Sequence, residues 1–355
     1  MADSKTAQMQ AMVFKGAGPL ELIETDVPTL TKPSDVLIKV EACAVCRTDL
    51  HVIDGDLKHP KLPVIPGHEI VGRIEALGAE AKSKGQLKIG QRVGVPWLAS
   101  TCRHCRFCLT ARENLCDNPE FTGYTTDGGF AQYTRADYRF TFALPDCITM
   151  SPVQFSPMLC AGLIGWRSLR FALAALKSGE GRLGIFGFGA AGHIVAQVAI
   201  QMGFKVYAFV RPGDSVAEKF ALSLGASFAG PSDTISPVLL DSAIIFATSG
   251  DLVPLALKSL RRGGSLVLGG IHMSDLPSMP YDLLWGERSI QSVANLTRLD
   301  GEEFIAYLGS PDHTITTSTT AFPLAEANQA LDLLRAGKLS GAAVLQPWDI
   351  GPMTV

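Results

Sequence analysis

The stretch "TCRHCRFCLTARENLC" places Cys102, Cys105, Cys108 and Cys116 within sixteen residues, spaced C-x2-C-x2-C-x7-C. Four thiolates satisfy tetrahedral Zn2+, and the x2 links let the backbone wrap one ion. No apolar periodicity that would bury four cysteines runs through the stretch; core packing and redox chemistry are the competing readings. His104 lies inside the cluster, but four sulfurs already complete the shell, so it reads as a surface residue. A closed four-thiolate site has no open position and braces a loop. A zinc ribbon for nucleic acid looks similar locally, and Arg103, Arg106 and Arg112 favour it. No basic-aromatic stripe lies beside them.

A second constellation is Gly187-Phe188-Gly189-Ala190-Ala191-Gly192, a G-x-G-x-x-G. Alone the motif is weak. Here it follows an apolar run, Leu183 to Phe186, and opens a helical pattern, which is the context a dinucleotide site needs. Gly187 permits the tight turn, Gly189 admits a pyrophosphate to the backbone, and Gly192 lets helix and strand pack closely. The diphosphate then meets the helix N-terminus. A glycine-rich structural turn is the competing reading. His193, next in line, reads as a packed helix residue.

The elements around these motifs change texture along the chain. Residues up to about 155 hold short apolar runs broken by Gly and Pro: "DVLIKVEACAV", "HEIVGRIEALG", "QRVGVPWLA" and "GGFAQYTRA". These predict a β-rich domain. From "RLGIFGFG" onward the runs "KVYAFV", "SAIIFATSG", "GGSLVLGG" and "SIQSVAN" predict parallel strands buried on both faces. "LAEANQALDLLRAGKLSG" predicts an amphipathic helix and a return segment. The length of 355 residues suits two domains.

Composition excludes several classes. A hydrophobic content of 47% with 18% charged residues describes a folded globular chain. A net charge of −3 argues against nucleic acid or an anionic membrane as partner. "MADSKTAQMQAMVF" has no uninterrupted apolar segment of a leader peptide, and no apolar run is long enough to span a bilayer. A soluble cytoplasmic protein is the expectation, and in a reducing compartment clustered cysteines are metal ligands or catalytic groups rather than disulfides.

The remaining Cys and His residues complete a pattern: "CAVCRTDLH", "PGHEIVG", the four-cysteine lobe, "PMLCAGLIGW" and the glycine motif, in that order. Over nearly its full length the chain resembles the zinc-dependent alcohol dehydrogenases of the medium-chain superfamily. The resemblance implies an α/β architecture: a GroES-like β-rich catalytic domain, 1–162 and 300–355, and a Rossmann doubly wound parallel-sheet domain, 163–299. It implies a site in the cleft between them, with Cys160 near the hinge.

Residue by residue, the resemblance makes Cys46, His68 and Cys160 ligands of a catalytic zinc with one open position. Two zinc ions per chain follow. Thr48 matches the hydroxyl that hydrogen-bonds the alcohol, and His51 the group that relays its proton to solvent. A surface histidine is the bland alternative for His51. Asp49 would orient His68. Glu69 matches a carboxylate near the metal. Trp97 resembles a wall of the substrate pocket, although an aromatic there could equally be core. Cys43 reads as a core residue despite forming C-x-x-C with Cys46, and Cys147 as a free structural thiol.

The implied reaction is reversible oxidation of a primary or secondary alcohol to an aldehyde or ketone. Zinc acts as a Lewis acid, and the hydride passes to NAD(P). A cinnamyl-alcohol-type aldehyde reductase and a polyol dehydrogenase are related alternatives; in the polyol branch an acidic residue usually stands where this chain has Cys160. A zinc-ribbon binding protein is the non-enzyme alternative. NAD enzymes place an acid about twenty residues past the glycines, where this chain has Val210, Arg211, Pro212 and Gly213. Arg211 facing a 2′-phosphate tips the balance to NADP, with a solvated Arg211 and NAD as the competing reading. The expected partners are small alcohols or aldehydes and further copies of the chain, as dimer or tetramer.

Overall fold

The structure is a computed structural model that describes residues 7–174, 176, 181–339 and 341–348. The leader reading concerns a segment whose first six residues lie outside the described residues. The chain divides into two compact units. One runs through Cys160 and adds Thr297–Asp312 and the chain from Thr317; the other is Ala161–Leu296 with His313–Thr316.

The first unit is built on a seven-stranded sheet. Its path is Thr319–Pro323, Ala342–Gln346, Asp35–Val45, Glu69–Leu77, Arg92–Val95 and Phe142–Ala143. Tyr133–Asp137 also pairs with the long strand Asp35–Val45. All these pairs are antiparallel except Thr319–Pro323 with Ala342–Gln346. Val36, Ile38, Val40, Ile70, Ile74, Val93 and Phe130 fill the core of this unit. A smaller hairpin, Gln8–Val13 with Glu21–Asp26, packs Met9, Met12 and Val13 into the same core. Leu98–Ser100 and Glu120–Phe121 pair as a two-stranded stem, and the four-cysteine lobe is the loop between them.

The second unit carries six parallel strands. In spatial order they are Phe228–Pro231, Lys205–Val210, Arg182–Phe186, Leu240–Ile245, Leu260–Leu268 and Ser289–Ser292. Chain order is thus 3-2-1-4-5-6, the doubly wound order, which reverses direction at the strand bearing the glycine loop. The inner strands are apolar on both faces, with Leu183, Ile185, Val206, Ala208, Phe209, Ala243 and Ile244 buried, as helix-covered parallel sheets require. His313–Thr316 joins this unit by polar contacts: Gln197 Oε1 accepts from Thr316 N at 2.9 Å, and Gln197 Nε2 donates to Thr316 O at 2.9 Å.

Candidate active site

Cys46 follows the long strand Asp35–Val45 and is the N-cap of the helix Arg47–Ile53. Its sulfur accepts from Thr48 N at 3.3 Å, and Asp49 Oδ2 accepts from Cys46 N at 2.9 Å, closing a capping box. Amide hydrogens and the helix dipole at this end favour a thiolate. The other oxygen of Asp49 crosses to the next segment. Asp49 Oδ1 accepts from Gly67 N at 3.2 Å and lies 3.1 Å from His68 Nδ1. With Nδ1–H committed to this buried carboxylate, His68 presents Nε2, which stands 3.1 Å from Cys46 Sγ.

Gly67 precedes His68 with φ +95°, and a Cβ there would meet the Phe130 ring at 2.3 Å and Cys43 Sγ at 2.9 Å. Only glycine fits the turn that aims His68 inward. Cys43 itself is fully buried beneath it, and burial pushes its thiol well up. Cys160 follows the 3-10 turn Ser156–Leu159. Gly94 makes room for that turn, since a Cβ there would lie 2.6 Å from Leu159 Cδ2. The result is a cluster of Cys46, His68, Glu69 and Cys160 whose ligand atoms all fall within 4.8 Å of one another.

The electrostatics match a cation site. A hydrogen bond from Cys160 draws the Cys46 thiol well below its usual range, against burial, with His68 adding to the effect. The same hydrogen bond and burial hold the Cys160 proton on. Burial opposes charge on His68, yet Cys46 and Asp49 raise its affinity for a proton well above normal. Burial also raises Asp49, with His68 opposing. A divalent cation at the centre would replace the protons held on Cys160 and His68.

The four-cysteine lobe is a second cluster: Cys102, Cys105, Cys108 and Cys116 also lie within 4.8 Å of one another. Amide hydrogens face its sulfurs: Cys102 N to Cys116 Sγ at 3.2 Å, Cys105 N to Cys102 Sγ at 3.3 Å, and Asn118 N to Cys116 Sγ at 3.4 Å. Cys102 and Cys108 sulfurs are 3.9 Å apart. Tetrahedral zinc bond lengths require about 3.8 Å between two sulfurs and about 3.6 Å between sulfur and imidazole nitrogen. On this measure the Cys102–Cys108 pair fits zinc, whereas the 3.1 Å between Cys46 Sγ and His68 Nε2 is a hydrogen-bond contact that must lengthen to admit the ion. His104 is exposed and outside the group.

The other expected residues fall as follows. Thr48 is buried on the first turn of the helix, and His51 sits one turn on, its Nδ1 2.7 Å from Asp56 Oδ2. Glu69 is buried at the head of its strand. Trp97 is buried with its edge contact on His68, centroids 4.9 Å apart, and it stacks on Phe121 and Tyr124. Cys147 is exposed.

In the second unit Gly187 has φ +95°, and a Cβ on it would meet Ala247 N at 2.7 Å. A Cβ on Gly192 would meet Gly187 O at 2.4 Å, whereas one on Gly189 would meet nothing within 4 Å. The open face of the turn is therefore at Gly189, the N-cap of the helix Ala190–Gln201. His193 is buried behind it, with Nδ1 3.1 Å from Gly189 O, and burial lowers its proton affinity. The second strand ends at Val210. Arg211 is exposed, and Asp214 caps the helix Ser215–Ser223 by accepting from Ala217 N at 2.9 Å.

Sequence reasoning passed over Asp56, Phe121 and Tyr124. The only signal for Asp56 was its place in "HVIDGD", an acid five residues past the histidine. Phe121 and Tyr124 had none.

Residues 32–146 match the alcohol dehydrogenase GroES-like domain. The probable alcohol dehydrogenase AdhA of Mycobacterium tuberculosis is 44% identical over 92% of this chain and 93% of its own. An alcohol dehydrogenase of Geobacillus stearothermophilus is 35% identical over 95% and 98%. The solved acetophenone reductase of Geotrichum candidum, in complex with NAD, superposes with a TM-score of 0.84 at 26% identity, covering 97% of this chain and 98% of its own. The chain belongs to the zinc-dependent alcohol dehydrogenases of the medium-chain superfamily.

Proposed function

We propose that this enzyme oxidises a small primary or secondary alcohol through a zinc held by Cys46, His68 and Cys160, with a second zinc in the Cys102, Cys105, Cys108 and Cys116 lobe. The observation that carries the reading is the convergence of Cys46, His68 and Cys160 from three segments far apart in sequence onto one point. Residues 1–162 with 300–355 act as the catalytic domain, and 163–299 as the dinucleotide domain. When bound, the zinc supplies Lewis acidity at its open position and the nicotinamide accepts the hydride.

The chain's own residues do the rest. Asp49 keeps the proton of His68 on Nδ1, so that Nε2 stays a ligand. Thr48 hydrogen-bonds the alcohol oxygen. His51 takes the released proton and hands it to solvent. Glu69 adds negative charge beside the ligands, and Trp97 walls the site against water. Gly187 and Gly192 shape the turn, and Gly189 leaves the space for a diphosphate at the helix N-terminus. Two tests decide this reading. Elemental analysis should give two zinc ions per chain. A panel of alcohols read at the nicotinamide absorbance should show cofactor reduction, and a panel without any would overturn it.

The dinucleotide in this proposal is NADP. Its support is that Asp214 is engaged as a helix cap, that Val210 ends the strand where an acid would hold the ribose, and that Arg211 is exposed beside it. NAD, the cofactor of the acetophenone reductase, is the competing outcome. Comparing kcat/KM for both cofactors in wild type and Arg211→Ala separates them: a preference for NAD unchanged by the substitution rules out the phosphate role. A cytoplasmic homo-oligomer, dimer or tetramer, completes the proposal. Its eight free cysteines suit a reducing compartment. Among the described residues no helix is long and apolar enough to cross a membrane.

A further inference from the structure

We propose that Asp56 is a positioning residue that sets the tautomer and aim of His51; the inference rests on the relay role proposed for His51. After the helix Arg47–Ile53 the chain folds back on itself. Asp54 N donates to Leu50 O at 2.7 Å, Gly55 turns with φ +81°, and Leu57 N donates to His51 O at 3.1 Å. This closed turn carries Asp56 back to the histidine, with Oδ2 2.7 Å from Nδ1. A carboxylate only accepts, so the ring hydrogen sits on Nδ1 and the lone pair on Nε2.

The neighbouring acid does not compete. Asp54 pairs with Arg335 Nη2 at 2.7 Å, from the helix Ala327–Arg335 that packs against this one. Arg335 also holds Asp332 at 2.8 Å. Of the two acids in "DGD", one is taken by a cation of the packed helix and the other by His51. The His51 side chain is 12% exposed and that of Asp56 41%, so the pair spans the boundary between interior and solvent.

The proton path follows. His51 Nε2 accepts the proton released by the alcohol and becomes an imidazolium that still donates Nδ1–H to Asp56. It then loses the Nε2 proton to solvent and returns to the same tautomer. Asp56 stays ionised throughout and takes no proton. Each turnover thus begins with the basic nitrogen already placed.

A double-mutant cycle tests this on the zinc-loaded enzyme. Asp56→Ala is expected to lower kcat/KM for the alcohol about tenfold, the lower end of the range for carboxylates that orient metal-ligating imidazoles. Zinc content should stay at the wild-type value, and added imidazole buffer should restore part of the rate. In a His51→Gln background the same change should alter the rate by less than about twofold, because the two residues act as one unit. Asp56→Asn keeps the shape of the turn and decides the question if the alanine variant does not fold. It should lose about threefold through the missing charge, and that loss should vanish with Gln at 51. Equal losses in both backgrounds overturn the inference while leaving the relay intact. A wild-type rate in both Asp56 variants, with His51→Gln slow, does the same. A His51→Gln enzyme that matches wild type across pH with no buffer effect overturns the relay and this inference with it.

Discussion

The molecule holds two clusters of side chains that could hold a metal ion, both in one compact unit, and they are built in opposite ways. The lobe draws all four ligands from one short loop on a two-stranded stem. Its sulfurs are partly exposed except Cys116, and backbone amides satisfy them locally. The other cluster takes ligands from the end of a strand, the start of another and a distant 3-10 turn. Cys46 and His68 within it are tied together by one buried carboxylate. Local construction suits a closed site that would brace the chain. Construction by the whole fold would leave room, in the proposed reading, for an open coordination position beside Thr48 and Trp97.

Substitution should separate the two. Cys46→Ser is expected to have the largest effect on turnover: activity falls to background, zinc drops from two to one per chain, and circular dichroism stays close to wild type. A variant that keeps substantial activity breaks the assignment. Asp49→Asn removes the tie without removing a ligand. It should cost roughly 10–100-fold in kcat/KM or in zinc retention against a chelator. Cys105→Ser should act on stability, with Tm falling on the order of 5–10 °C and kcat/KM per folded molecule changing less than about threefold. If Cys105→Ser instead silences a well-folded enzyme, the division of labour is wrong.

The smallest effect lies in the metal-stripped lobe. Amide hydrogens of Cys108 and Asp117 bring the Cys105 thiol down to about 6, whereas burial, ahead of its hydrogen bonds, pushes Cys108 to about 12. A lowered thiol is already thiolate at neutral pH, and thiolate is the reactive form. After chelation, Cys105 should be alkylated from pH 6 upward and Cys108 should resist past pH 10. Peptide mapping of the adducts reads the order, and the reverse order would show that the stripped lobe has lost this geometry.

The same contrast explains what the sequence disclosed. The lobe and the glycine turn were legible because their spacing is their geometry: each is completed by residues adjacent in the chain. Cys160 was reached through family resemblance, since no local pattern links it to Cys46 and His68. The stacking of Trp97 on Phe121 and Tyr124 and the return of Asp56 to His51 arise from tertiary placement and left no periodic trace. The return of His313–Thr316 to the second unit uses the side-chain amides of Gln197 and Gln201 around a single buried Ile315, which hydrophobic patterning does not register. The sheets were legible because their apolar runs are long and bounded by turn residues. The hairpin Gln8–Val13 with Glu21–Asp26 was not, because its second strand, ELIETD, is mostly polar.

The stem beneath the lobe also bears on how this region varies. Leu98 pairs with Phe121 and Ser100 with Glu120, so the chain departs and returns at neighbouring points. Geometrically the lobe is an insertion, and its length is decoupled from the course of the sheet. Beyond the stem, a tether holds it: Glu113 Oε1 accepts from Arg298 N at 3.0 Å and from Arg298 Nε at 3.2 Å. A chain in which a tight turn replaced the whole loop would give up four cysteines and that tether, yet Trp97 and His68 would keep the backbone on which they stand.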